Sequence, residues 1–378
     1  MRRFALYSII ALNAVDSLRY NMKLVGVRNL KMTSTILPPQ NIPEVQYSTL
    51  NGKALRNNVI PTLAEAKAVI PKECFVKNTA LSLSYALLDL VATASCFFLG
   101  YKYILPIGFS AASLLAWIPY SIVTGTVAIS MWVTAHECGH GAFSTNKKLQ
   151  DFVGYVFHTF LLVPYFSWQR SHNIHHANTN HVVDGETHVP IVNSSSLKTK
   201  VLQKIFGSKI GNFIWGSSQI FLHLIFGWPA YLLTGKTGGY SRGVTNHFIP
   251  FPLTKPNNPA KELFGGVNQK IKVLASDVGI AGMLGGLYLL SKTIGLLPLL
   301  ALYGGPLIVV NSWLVLYTWL QHTQTDIPHV DADEFSFIKG AFLTVDRPYE
   351  KILGGIVNFL HHDIGTTHGK WEHAAAYR

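Results

Sequence analysis

A chain of 378 residues in which 49% are hydrophobic and only 13% charged carries about half the charge of an ordinary soluble domain. Its formal charge of +12 comes from lysines and arginines that punctuate long uncharged stretches instead of gathering in one patch, so a membrane is expected and nucleic acid is not. Cys74, Cys96 and Cys138 show no CxxC spacing, which leaves no disulfide framework and no thiolate zinc site to expect.

The first 32 residues hold six basic side chains, one acid (Asp16) and an apolar run too short to span a bilayer. They read as a targeting segment or a cytosolic tail. Residues 1–60 are expected to form an N-terminal extension, and residues 61–378 one membrane domain that opens with a short amphipathic helix at 62–70.

A span needs about 20 mostly apolar residues. Residues 79–101 qualify, broken only by Asp89; 103–135 and 293–325 are each 33 residues without a charge; 273–291 is shorter and glycine-rich. Eleven lysines and arginines lie in residues 1–78, seven in 141–209, six in 236–272 and five in 321–378, while Lys102 and Lys292 stand alone. Short basic loops stay on the cytosolic side. The expected fold is therefore an all-α membrane protein with four transmembrane helices in two hairpins. Both termini would be cytosolic. Residues 210–235, flanked by basic segments, should enter and return or lie at the interface. The second and fourth runs would reach about 50 Å against a ~30 Å hydrocarbon core, projecting into a cytosolic helical cap.

Both projections end in histidine. His136 and His140 are spaced to share one helix face, and so are His172, His175 and His176. A solvated cluster of imidazoles repels itself on protonation, a penalty that metal coordination removes. Metal binding is expected for these five. They exceed what one tetrahedral zinc requires, so two ions are the natural inference; imidazole suits zinc, copper, iron and nickel alike. His322 closes the fourth run as a further candidate, and the tail carries His361, His362 and His368. His158, His181, His188, His223, His247 and His329 read as structural or surface residues.

Around these boxes stand Ile70-Pro71, Cys74-Phe75, Leu83-Ser84-Tyr85, Ala135 to His140, Leu161 to Trp168, Trp313-Leu314-Val315, Leu320-Gln321-His322-Thr323 and Thr344-Val345-Asp346-Arg347. From about residue 60 to His368 the chain resembles the membrane fatty acyl desaturases, particularly the Delta-12 (omega-6) and omega-3 group. That resemblance implies a di-iron centre held by HxxxH, HxxHH and HxxHH boxes, with His136, His140, His172, His175, His176, His322 and His368 as ligands. It implies a cis double bond made in a phospholipid-bound or CoA-bound acyl chain at the endoplasmic reticulum membrane, or in a plastid. Electrons would come from cytochrome b5 and its reductase, since no HPGG haem signature is present, or from ferredoxin in a plastid. The third box departs from the pattern: Trp371 and Glu372 stand at the offsets from His368 where histidines belong, and His373 follows. Weak or absent activity is the expectation, with a hydroxylating relative or a silent lipid-binding protein as alternatives.

Overall fold

The computed structural model describes residues 47–50, 53–56, 62–68, 70, 72–189, 197–235, 237–324, 327–345, 347 and 349–362. Among them, four helices are long and apolar enough to cross a bilayer: Thr79–Ile107, Leu114–Gly139, Val267–Ile294 and Leu296–His322. The chain is an all-helical, multi-pass membrane protein, save for a small antiparallel hairpin of β1 (Tyr47–Leu50) and β2 (Lys53–Arg56). The amphipathic segment forms α1 (Leu63–Ala68), and the first span begins as α2 (Thr79–Leu99) under an Asn78 cap.

The first turn lies later than the charges suggest. Lys102 does not mark it: the span runs on through a π-helical turn, Gly100–Ile104, and the ammonium rests over the Phe98 and Tyr103 rings at 5.7 and 5.3 Å. A lysine stem that lies along aromatic rings can keep its charge at the interface without ending a helix. The reversal comes instead between residues 108 and 113, where the Ser110 and Ser113 hydroxyls accept from each other's backbone N–H. The second span, α3 (Leu114–Gly139), is therefore 26 residues, and the fourth 27. Each reaches about 40 Å, so a shorter projection than expected still clears the bilayer.

On that projection sit the helices of the cap. α4 (Lys147–Phe160) and α5 (Tyr165–Ala177) follow the second span, and both pack on it and on α7 (Val267–Ile294). Residues 210–235 do not turn back on themselves. All but Gly235 belong to α6 (Leu197–Thr234), whose one non-helical break is Gly207, and α6 packs along α8 (Gly305–His322), the body of the fourth span.

Although α8 follows the third span in sequence, its main partner is the second. Gly125 makes the approach possible: a β-carbon there would stand 2.6 Å from the Pro306 carbonyl oxygen and 2.5 Å from Val309 Cβ. The Tyr120 hydroxyl donates to the Leu302 carbonyl at 2.8 Å, and Trp313 Nε1–H donates to Thr126 Oγ1 at 2.9 Å. The contact sets the two histidine-bearing helix ends side by side. Gly125→Leu should force α3 and α8 apart, costing about 1–3 kcal/mol of stability. A fall in the detergent-phase melting temperature checks this, and an unchanged melting point would contradict it.

Candidate metal centre

His136 and His140 lie in the last turn and cap of α3, and His172, His175 and His176 in the last turns of α5. Gly139 lets the two helices meet, because Trp168 fills the space its β-carbon would take, and Trp168 then stacks on His172 at 4.6 Å. Ser276 of α7 accepts from Phe166 N at 2.9 Å and so fixes the start of α5 to the third span.

Four ε-nitrogens meet here. Those of His136, His140, His172 and His176 all lie within 4.8 Å of one another. His172 Nε2 is 2.7 Å from that of His136, 3.0 Å from that of His140 and 3.0 Å from that of His176. One N–H can serve only one of those contacts, so hydrogen bonding alone does not satisfy the set. Nitrogens bound at about 2.1 Å to one ion stand about 3–3.4 Å apart, close to these spacings. His136 Nδ1–H donates to Glu137 Oε1 at 3.2 Å, which selects the tautomer whose Nε2 is a bare lone pair. The cluster fits a metal ion.

His175 points elsewhere on the same helix end. Its Nε2 is 3.3 Å from His322 Nε2, at the tip of the fourth span. A second pair of imidazoles thus adjoins the first four, with the His172 and His175 rings 5.9 Å apart. His368, Trp371, Glu372 and His373 lie outside the described residues.

Burial keeps the His172 and His176 rings neutral. It lowers His172 well below the usual histidine value, helped by the neighbouring rings of His176, His136, His140 and His175. Burial also takes His176 down to about 3. Neutral imidazole is the form that ligates.

His136, His172, His175, His176 and His322 line a cavity of about 90 Å³, several times what one water needs. Its other wall is largely apolar, with Gly227, Trp228, Leu314 and Val315. Glu186 also faces it, its carboxyl pushed up to about 7 by burial and partly offset by the hydrogen bond from Tyr231 at 2.6 Å. A second, polar cleft reaches His140 and His176 from another direction. Lys147, Arg170 and Lys272 line it, with no carboxylate among its described lining residues.

The remaining histidines divide. His181 Nδ1 accepts from Val183 N and Asp184 N; His247 bonds to the Leu232 carbonyl and the Ser171 hydroxyl; His158 packs among Trp132, Tyr165 and Trp168. These are structural, one of the two roles the sequence reading expects of them. His188 and His223 are not simply that, since both line the histidine cavity. His361 is held on both sides, accepting from the Tyr317 hydroxyl and donating to the Thr126 carbonyl at 2.9 Å, so its nitrogens are already engaged. His362 Nε2 sits 2.9 Å from Asp89, the one charge in the first apolar run, which also accepts from Thr134 at 2.6 Å. That contact ties the tail to the first two spans within a turn of His136.

The fatty acid desaturase family model matches residues 112–368. The chain belongs to the fatty acid desaturase family. Over 310 residues it is 37% identical to the Delta(12)-fatty-acid desaturase of Arabidopsis thaliana, covering 81% of this chain and 74% of that one. It is also 37% identical to the endoplasmic reticulum omega-6 fatty acid desaturase of Brassica juncea over 307 residues, with the same two coverages. A Glycine max enzyme named omega-6 fatty acid desaturase, endoplasmic reticulum isozyme 1, is 35% identical over 309 residues, or 81% of this chain and 73% of that one.

A pH dependence follows for this desaturase. Burial lowers His158 to about 3 and His247 to about 4, against the usual 6.5. A depressed histidine contributes stability that is whole above 6.5 and lost as pH falls toward the folded value. Each ring should cost about 2 kcal/mol by pH 5. Metal-free protein should therefore melt progressively lower from pH 7 to pH 4; a flat profile across that window would contradict the assignment.

Proposed function

We propose that this chain is an acyl-lipid desaturase that sets a cis double bond in a fatty acyl chain, at the omega-6 (Delta-12) position ahead of omega-3. The observation that carries the reading is an apolar cavity walled on one side by two adjoining groups of imidazoles. His136, His140, His172 and His176 would hold one iron, and His175 and His322 would contribute to a second, with His368 supplied by the tail. When bound, the two irons supply the activation of dioxygen needed to take two hydrogens from an unactivated alkyl chain.

The rest of the chemistry belongs to side chains. Trp228, Leu314, Val315 and Trp132 hold a saturated segment by burial alone and keep water from it. Holding that segment still against the histidine face fixes which methylenes are reached. Glu137 keeps His136 in its ligating tautomer. The acyl head group stays at the cytosolic surface, on the side of the basic segments, with both termini there too. The names of the Brassica and Glycine relatives support the endoplasmic reticulum membrane as the site, and thus cytochrome b5 with its reductase as donor.

The polar cleft supports a separate approach for that donor. Three cations around a passage to His140 and His176 suit an acidic protein surface. Lys147→Glu with Lys272→Glu should raise the KM for the donor several-fold at low salt and leave kcat at saturating donor unchanged. Equal KM values would remove the cleft from the donor path.

The activity itself is tested by expressing the chain in a desaturase-free host and profiling its fatty acids. New diene is expected and should vanish in His172→Ala; oxygenated acyl chains would favour a hydroxylase, and no product despite good expression a silent protein. Trp371 and Glu372 deprive the third box of two imidazoles, so Trp371→His with Glu372→His should raise product yield. A repaired chain no more active than the parent would show that the tail is not limiting.

A further inference from the structure

One histidine that belongs to no box lies against the second pair. The His188 ring stacks on His322 at 5.1 Å between centroids and stands 6.0 Å from His175, while His175 and His322 are themselves 4.8 Å apart. An imidazole bound through a ring nitrogen places its centroid about 3.2 Å from the ion, so rings sharing one ion have centroids up to about 6.5 Å apart. All three separations fall inside that limit. They also match the first group, whose six centroid distances run from 4.4 to 6.5 Å.

The backbone at His188 points the same way. Its φ of 59° is in the left-handed region, which a side-chain-bearing residue adopts at a cost. The segment is stitched down on both sides of it: the Thr187 and Thr237 hydroxyls share a bond of 2.7 Å, and Val189 N donates to the Thr237 carbonyl at 2.9 Å. His329 Nε2–H donates to the His188 carbonyl at 3.0 Å. Three hydrogen bonds thus hold a strained residue with its ring on the wall of the histidine cavity. A ring needed only for packing requires none of that expense.

We propose that His188 is a ligand of the second metal subsite, together with His175 and His322. This rests on the two-iron reading above and adds to it a residue outside every histidine box. It gives that subsite three imidazoles from this part of the chain, where the third box offers Trp371 and Glu372 in place of two.

The test is iron stoichiometry. The full chain is purified in nanodiscs, loaded anaerobically with ferrous iron alone, washed and assayed for iron per chain, with a Mössbauer spectrum of the same sample. The parent chain should hold two irons. His188→Asn keeps a residue tolerant of the left-handed backbone and should lose at least one iron, with one Mössbauer component diminished. His188→Gly relieves the strain altogether, so the cost of folding is not confounded with the loss of a ligand; free imidazole at millimolar concentration should restore its iron. Two irons and an unaltered spectrum in His188→Asn, or no recovery of iron with imidazole in His188→Gly, would overturn the ligand assignment while leaving the two-iron reading in place. A parent chain that binds no iron would overturn that reading, and this inference with it.

Discussion

Six imidazole nitrogens must be accommodated 2.7–3.3 Å from a neighbour at the end of two long helices. No arrangement of hydrogen bonds among them satisfies that, since a ring nitrogen that donates to one neighbour faces the lone pairs of others. Exposed to water, such a cluster would take up protons near the usual histidine value. Here it is covered by α5, α6 and the tips of α3 and α8, and burial holds His172 and His176 in the uncharged form. The demand for neutral nitrogens in a small volume explains the tryptophans beneath them, with Trp132 stacked on His136 and Trp168 on His172. It also explains why α3 and α8 pack on each other across Gly125. A change of an ångström in that contact would move His322 against the other five.

Much of this was legible in the chain itself. Charge-free runs long enough to overshoot a bilayer marked α3 and α8, and the i, i+3 and i+4 spacing of His172, His175 and His176 announced one helical face. What spacing did not announce is how that face divides. His172 and His176 turn toward α3 while His175 turns toward α8, a split set by where the two spans emerge. The resemblance to the desaturases reached the same residues by another route, and the family match agrees with it.

Other features were invisible because they depend on contacts between residues far apart. Asp89 reads as a blemish in an apolar run, yet it is the acceptor for Thr134 and the partner of His362, 273 positions away. His361 looks like part of a third ligand set, but Tyr317 and Thr126 occupy both its nitrogens. His188 has no periodic signal at all, since it follows α5 in a loop; only the fold brings it beside His322. The first hairpin turn lies away from Lys102 for a simpler reason. A lone lysine in the sequence reads as the end of a span, whereas Lys102 lies over two aromatic rings and lets the helix continue.

The most direct test of the shared metal centre is X-ray absorption at the iron edge on the purified, iron-loaded chain. The account predicts a nearest shell of nitrogen at about 2.1 Å with the multiple scattering of imidazole rings, and its collapse when His172 is replaced by alanine. A shell dominated by oxygen, or a spectrum indifferent to His172, would mean that these histidines converge for some purpose other than holding iron.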